Sequence, residues 1–301
     1  MNESPGLTLG LALPTAGPHA SPEEILRVAR EAEEIGLAAV WTFERLLRPT
    51  GTATMIGGPS FPLPDAYGSV YDPLETLAYL AAGTSRVKLG TSILVSLLHN
   101  PVVLARRLAT LDRLSGGRLI AGVGQGWMAE EFATAGVPPQ RRGARFEEHV
   151  RAMRAVWAPD PVTFDGDFYQ IPAAQIGPKP VRPDGPALLA GAGSPAAVER
   201  AARLGLGLNA IMMSWEAFHD SVRSFRNAAG PGAEALPVVV RVNGSITGKP
   251  LDDRAPLTGS VEQVLEDLAQ LRSAGADHVF WAMDTEPDEQ LDALGRLHAL
   301  A

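Results

Sequence analysis

The chain has 301 residues, 46% of them hydrophobic and 20% charged, so it can bury a large core and does not resemble a disordered or fibrous protein. Its formal net charge of -8 argues against a nucleic-acid-binding surface or a polybasic membrane patch, because either requires clustered lysine and arginine. The absence of cysteine excludes disulfides, thiolate nucleophiles and cysteine-ligated metal centres.

The beginning of the sequence does not resemble a targeting segment. Met1 to Gly6 lack the basic and apolar regions of a secretion signal, and no apolar run reaches the ~18 residues that span a bilayer. We therefore expect a cytoplasmic protein that has neither a membrane nor a nucleic acid as its partner.

Strand and helix patterns alternate along the whole chain. An apolar run over residues 7–13 precedes a helix that is capped by Ser21 and stopped by Gly36, and a second run over 38–41 completes a βαβ unit. Further strands are predicted over 87–95, 118–123, 187–191, 206–211, 237–242 and 278–283. Further helices are predicted over 73–82, 101–114, 145–157, 195–204, 215–228, 261–274 and 288–300. Alternating βα units require a parallel sheet, and eight of them predict one (βα)8 TIM barrel over residues 1–301, with its active site at the carboxyl ends of the strands.

Long loops follow three of the predicted strands, at residues 45–72, 124–143 and 243–259. The first carries Phe61, Tyr67 and Tyr71 among prolines and glycines, which suits a lid over an apolar or aromatic compound. Residues 159–185 follow a helix instead, and the pattern over 162–169 predicts a hairpin. We expect this segment to be an insertion folded over the barrel.

Two glycine-rich segments end predicted strands, where a ligand could approach the backbone closely. Residues 122–127 end the fourth strand, and a tight turn without a ligand is the alternative interpretation. Residues 191–194 end the fifth strand and open a helix, which favours phosphate binding, although a helix cap by Ser194 explains the same pattern. The second segment also fits the G-x-G-x-x-A dinucleotide pattern, but βα units precede and follow it without a change in the alternation.

Charged residues that follow strands are candidates for catalysis, because a barrel keeps its catalytic groups at that end. Glu44 and Arg45 follow the second strand and Asp284 follows the eighth, with a structural ion pair as the alternative role. His99 lies just past the third strand and is the histidine that we consider for proton transfer. The histidines lack metal-ligand spacing, so no metal site is expected, and no G-x-S-x-G motif supports a hydrolase.

The chain resembles the luciferase-like monooxygenases, and among them the oxidoreductases that depend on the deazaflavin coenzyme F420. The resemblance covers nearly the whole chain and rests on residues 87–95, 100–105, 108–119, 122–127, 130–132 and 177–180. It implies a non-prolyl cis peptide at Ser92-Ile93 that buttresses the deazaflavin ring. It further implies a set of cofactor-binding residues, namely Ser92, Ile93, Val95, Gly124, Gln125, Gly126, Trp127 and Glu130 beside the ring, and Ala192, Gly193 and Ser194 at its phosphate.

The chain departs from this family at one place, where relatives commonly carry Asp-His and this sequence has Glu44-Arg45. Arginine does not titrate near neutrality and suits the binding of an anion or a carbonyl, so Glu44 and His99 are the candidate proton donors. The resemblance implies hydride transfer between coenzyme F420 and a small organic substrate, in a homodimer. The alternatives are an FMN-dependent monooxygenase, a non-catalytic flavin-binding protein and, last, a cofactor-free lyase that uses Glu44 and Asp284.

Overall fold

The computed structural model describes residues 6–283 and 285–301 and contains the eight alternating units that the sequence predicts. The expectations that rest on residues 1–5 and on Asp284 lie outside the described residues. The barrel strands are β1 (Thr8–Ala12), β2 (Ala39–Thr42), β3 (Lys88–Thr91), β4 (Leu119–Gly124), β5 (Ala187–Gly191), β6 (Gly207–Ile211), β7 (Val238–Val242) and β8 (His278–Trp281). The helices that follow them are α1 (Pro22–Ile35), α2 (Pro73–Gly83), α3 (Pro101–Leu114), α4 (Arg142–Trp157), α5 (Pro195–Arg203), α6 (Trp215–Ala229), α7 (Val261–Ser273) and α8 (Pro287–Leu300).

The eight strands form a closed parallel barrel. Each strand pairs in parallel with the next, and β8 pairs back onto β1. Side chains from alternate positions fill the interior, where a buried cluster consists of Ala39, Trp41, Leu189, Val239 and Phe280. A larger apolar core lies between the strands and the surrounding helices. The predicted (βα)8 fold is therefore confirmed.

The first three barrel helices begin where the sequence places a capping side chain before a proline. Ser21, Asp72 and Asn100 each accept a hydrogen bond from a backbone N–H in the first turn of α1, α2 and α3. The proline that follows each cap has no N–H to leave unsatisfied, so it starts a helix at little cost. Among the described helices, none is long and apolar enough to cross a membrane.

The structure differs from the predicted boundaries mainly near the barrel mouth. The strand predicted over 87–95 is interrupted after β3, and the short strand Leu94–Val95 then pairs with the end of β4. The hairpin in 159–185 is present, but its strands are Val162–Asp165 and Gln170–Ala174. Residues 166–169, which the prediction placed at the end of the hairpin, therefore form its turn. A short helix, Ala129–Thr134, lies inside the loop predicted over 124–143.

The loop over residues 45–72 has structure of its own. Strand Thr52–Thr54 pairs with Ser60–Pro62, and a 3-10 turn follows at Asp65–Gly68. Ala53 and Leu63 are buried together with Met128 from the loop after β4, forming a small core outside the barrel. We refer to residues 45–72 as the lid.

Candidate active site

A cavity of about 530 Å³ opens at the carboxyl ends of the strands, between the barrel and the lid. Trp41 and Phe280 lie in it with their rings stacked at 4.6 Å, and Phe43 and Tyr67 add two further aromatic rings. One arginine lines it, Arg241, at the end of β7. The cavity therefore combines four aromatic rings with one arginine and one carboxylate, that of Glu286, which suits a small organic ligand.

The peptide bond Ser92-Ile93 is cis, as the resemblance implies, and hydrogen bonds fix it from two sides of the barrel. On one side, the Ser92 N–H donates to the Thr42 carbonyl at 2.7 Å and the Glu44 N–H donates to the Ile93 carbonyl at 3.2 Å. On the other side, Nη1 of Arg241 donates to the Ser92 carbonyl at 3.1 Å. We refer to the backbone at and just after this cis bond, residues 92–95, as the bulge. Strands β2 and β7 hold it in one position.

The side chain of Ile93 explains why β4 and β5 both end in glycine. A Cβ added to Gly124 would lie 2.7 Å from Ile93, and one added to Gly191 would lie 2.9 Å from it. Gly126 has φ +76 and lies against Val95, so it too serves the local packing. A Cβ on Gly193, in contrast, would meet nothing within 4 Å. Of these four glycines, Gly193 alone faces open space.

The candidate proton donors Glu44 and His99 lie together, but they do not line the cavity. Nε2 of His99 is 2.7 Å from Oε1 of Glu44, and Oε2 of Glu44 accepts the Val95 N–H at 2.5 Å. The His99 carbonyl is 3.1 Å from Nε2 of His149, whose pKa is lowered to about 4 by burial, so the neutral His149 ring donates this bond. Both carboxylate oxygens of Glu44 are therefore engaged in holding the bulge.

Arg45 forms a buried ion pair with Glu131, a residue that the sequence analysis did not single out. Nη1 of Arg45 lies 3.0 Å from Oε1 of Glu131, and the same oxygen accepts the Leu46 N–H at 2.9 Å. Glu131 is 0% exposed and Arg45 10%, and burial raises the pKa of Glu131 against the opposing effect of Arg45. The guanidinium also lies 5.3 Å from the Trp127 ring centre and 5.6 Å from that of Tyr67. Arg45, the first residue of the lid, thus contacts Glu131 and lies near the rings of Trp127 and Tyr67.

Glu130 and Trp127 bind the lid to the loop after β4. The Glu130 carboxylate accepts the Thr54 N–H at 3.0 and 3.2 Å, and these backbone bonds lower its pKa. The Trp127 carbonyl accepts the Ile56 N–H at 2.8 Å, and its ring stacks on Phe61 at 5.4 Å. Gln125 is half-buried on the same loop. Glu130, predicted beside the cofactor, here fastens the lid.

The end of β6 exposes two large apolar side chains at the barrel mouth, Ile211 at 49% and Met213 at 74%. Ile211 shares a strand face with Asn209, whose side chain reaches Ser92 across the barrel interior at 3.3 Å. We call Ile93, Ile211 and Met213 the apolar cradle. Ile211 and Met213 give it an exposed apolar surface, and exposed apolar patches of this kind mark candidate binding sites.

The start of helix α5 lies at the end of β5 and is exposed at the barrel mouth. Ser194 is its N-cap and makes no capping hydrogen bond through its side chain, and Gly193 and Ser194 are exposed. Ala192 is half-buried just before them. Pro195 has no N–H and the Ala197 N–H donates to the Ser194 carbonyl at 2.9 Å, so the Ala196 N–H is the donor that the first turn leaves at the positive end of the helix.

Comparison with known proteins places this geometry in context. A family model described as luciferase-like monooxygenase matches residues 7–250. The F420-dependent glucose-6-phosphate dehydrogenase of Amycolatopsis mediterranei is 31% identical over 293 residues, covering 89% of this chain and 83% of that protein. The FMNH(2)-dependent dimethylsulfone monooxygenase of Pseudomonas putida is 31% identical over 179 residues, covering 58% of this chain and 48% of that one.

Other matches are shorter or concern the fold alone. Uncharacterized proteins of Mycobacterium tuberculosis and Mycobacterium bovis are 41% identical over 130 residues, which is 43% of this chain and 46% of theirs, so the match spans less than half of their length. A structure of an F420-dependent secondary alcohol dehydrogenase with an F420-acetone adduct superposes with a TM-score of 0.79 at 18% identity, covering 97% of this chain and 98% of that one. That likeness shows a common barrel architecture.

Proposed function

The chain belongs to the luciferase-like monooxygenase family, and on that basis we propose that it is an oxidoreductase that uses the deazaflavin coenzyme F420. The reaction is hydride transfer between the coenzyme and a small organic substrate. The observation that supports it best is the combination of the apolar cradle with the free start of α5, beside an aromatic cavity. A flavin-type ring, its phosphate and a substrate then each have a matching surface.

The bulge gives the ring a rigid support. The Ile93 side chain is held between Gly124 and Gly191, and the backbone on either side of the cis bond is fixed by the hydrogen bonds from β2 and β7. Glu44 contributes by accepting the Val95 N–H and His99 by contacting the other carboxylate oxygen of Glu44, so we assign both as positioning residues. Rigid support of this kind matters because the reacting carbons have to be held at contact distance and in one orientation.

The phosphate of the coenzyme would bind at Ala192, Gly193 and Ser194. The Ser194 hydroxyl and the Ala196 N–H are the donors, and the open space at Gly193 lets the ligand approach them. When bound, the deazaflavin supplies or accepts the hydride. The lid limits the access of water to the cavity, and Arg45 stabilises the lid through Glu131 and Trp127.

Relatives with either coenzyme exist, so FMN is the second candidate. Coenzyme F420 is preferred because the F420-dependent relative matches 89% of this chain and the FMNH(2)-dependent relative 58%. An FMN-dependent monooxygenase would use the same cradle and phosphate site. The two functions differ in which coenzyme the purified protein binds.

The test is calorimetric titration of the chain with oxidised coenzyme F420 and, separately, with FMN. We expect tight binding of F420, lost in Gly193→Trp, because that side chain fills the open space at the start of α5. Gly6→Trp is the matched control, since Gly6 also has nothing within 4 Å but lies before β1, at the opposite end of the barrel. Binding of FMN alone would replace the proposal with a monooxygenase. Binding of neither coenzyme would overturn both.

A further inference from the structure

We propose that the cavity beside the apolar cradle binds a small carboxylic acid with an aromatic or other apolar body, and that Arg241 holds the carboxylate. The claim that this acid is the substrate rests on the proposed oxidoreductase function. The claim that it binds in the cavity rests on the side chains that line the cavity.

Arg241 supplies the charge. Its Nε donates to Oδ1 of Asn243 at 2.9 Å and its Nη1 donates to the Ser92 carbonyl at 3.1 Å, and neither partner is an anion. The guanidinium has five N–H donors, so these two bonds leave others for a ligand. Burial lowers the pKa of Arg241, contact with Tyr67 opposes this effect and the nearby Arg45 adds to it. A carboxylate offers two coplanar oxygens to this planar donor group and neutralises its charge.

Three further groups in the same cavity lack a partner among the described residues. The hydroxyls of Thr15, Thr42 and Thr285 are buried, all three residues line the cavity, and none of these oxygens makes a hydrogen bond to a described atom. Buried hydroxyls are seldom left without a partner, so they mark positions where a ligand or a water completes the site. Together with Arg241 they add polar groups to a cavity that the rings of Trp41, Phe43, Tyr67 and Phe280 also line.

The charges around the cavity select a monoanion over a dianion. Arg241 is the one arginine or lysine in the lining, and the other titratable base there, His19, already lies 3.3 Å from Glu286 at the rim. A phosphate dianion would bring a second negative charge toward Glu286, where the structure offers no further cation among the described lining residues. The stacked rings of Trp41 and Phe280 suit the apolar body of the ligand.

The experiment is calorimetric titration of the full chain with three probes, benzoate, benzamide and phenyl phosphate, with and without oxidised coenzyme F420. We expect benzoate to bind most tightly, because benzamide has the same shape without the charge and phenyl phosphate carries the second charge. Arg241→Met should weaken benzoate binding by about 30-fold or more. Arg241→Lys should weaken benzoate binding less, since lysine keeps the positive charge but lacks the planar group that donates to both carboxylate oxygens. Thr42→Val should weaken it by about 5-fold.

Two variants control for folding and for a hidden counter-ion. Arg223→Gln removes an arginine that is 67% exposed on α6, away from the cavity, and should leave benzoate binding unchanged. Asp284 follows the lining residue Met283 in sequence and lies outside the described residues, so Asp284→Asn tests whether that carboxylate neutralises Arg241. Equal benzoate affinity in Asp284→Asn and the unaltered chain supports the proposal.

The proposal is overturned if benzamide binds as tightly as benzoate, if phenyl phosphate binds more tightly, if Arg241→Met retains benzoate, or if benzoate binds only after Asp284→Asn. Failure of all three probes while coenzyme F420 still binds overturns the acid site and leaves the proposed function intact. If coenzyme F420 does not bind while benzoate still does, the proposed function is overturned and the acid site is retained.

Discussion

Glu131→Leu removes the carboxylate that Arg45 and the Leu46 N–H share beneath the lid. Glu131 is 0% exposed and Arg45 10%, so the substitution leaves a guanidinium charge and a backbone donor in a dry environment. Breaking one partner of a buried ion pair costs about 3–5 kcal/mol, and we expect a loss of about 4 kcal/mol in the free energy of unfolding. Urea unfolding followed by circular dichroism at ~pH 8 measures this loss directly.

The reverse substitution, Arg45→Met, should cost less, because the remaining carboxyl can take up a proton while an arginine cannot lose one. Burial already raises the pKa of Glu131 with Arg45 present, and removing Arg45 raises it further. A folded-state pKa above the unfolded value means that the folded protein binds more protons, so this variant regains stability as the pH falls. The double variant, Arg45→Met with Glu131→Leu, should recover most of the loss and keep only the cost of the unpaired Leu46 N–H.

Three outcomes would contradict this reasoning. They are a loss below about 1 kcal/mol in Glu131→Leu, an Arg45→Met variant whose deficit does not shrink between ~pH 8 and ~pH 5.5, and a double variant as unstable as the worse single one. Any of them would mean that solvent reaches the pair and that the lid is not held by it.

Further predictions concern the histidines and the cradle. The folded pKa of His149 is lowered to about 4 and that of His278 to about 3, so both contribute stability that is complete above ~pH 6.5 and is lost as the pH falls toward those values. His149→Gln should therefore remove about 3 kcal/mol of that acid-dependent loss in urea unfolding, and an unchanged pH slope would refute the assignment. His99→Gln should keep most of the F420 affinity because an amide can still donate to Glu44, whereas His99→Phe should lower it in calorimetry. Equal affinities would show that the bond does not hold the bulge. Ile211→Asp should weaken F420 binding at least about 10-fold without lowering the thermal midpoint, since the side chain is 49% exposed, and retained affinity would place the ring elsewhere.

The barrel was predictable from the sequence because its signals are local. Ser21 before Pro22 and the αL glycine Gly36 mark the ends of α1, and a capping side chain also opens α2, α3, α6 and α7. The boundary near 92–95 was misjudged because one apolar run contains both β3 and the bulge, and periodicity does not register a cis bond. The resemblance to relatives, not the pattern, predicted that feature.

The site was less predictable because its contacts join distant residues. Arg45 and Glu131 are 86 positions apart, so the sequence suggested an ion pair as an alternative role for Arg45 but did not identify its partner. Arg241 had a usable signal, since alternation within β7 puts it on the same interior face as Val239. The single-domain organisation, the homodimer, the cytoplasmic location and the absence of nucleic-acid or membrane partners stay predictions.

The central claim is that the barrel mouth holds a deazaflavin between Ile93 and Ile211, and a crystal structure of the chain with oxidised coenzyme F420 tests it most directly. The account predicts the ring against the Ser92-Ile93 bulge, the phosphate on Gly193 and Ser194, and the aromatic cavity left open beside the ring. A ring that fills the cavity against Trp41 and Phe280, or a phosphate away from the start of α5, would contradict it.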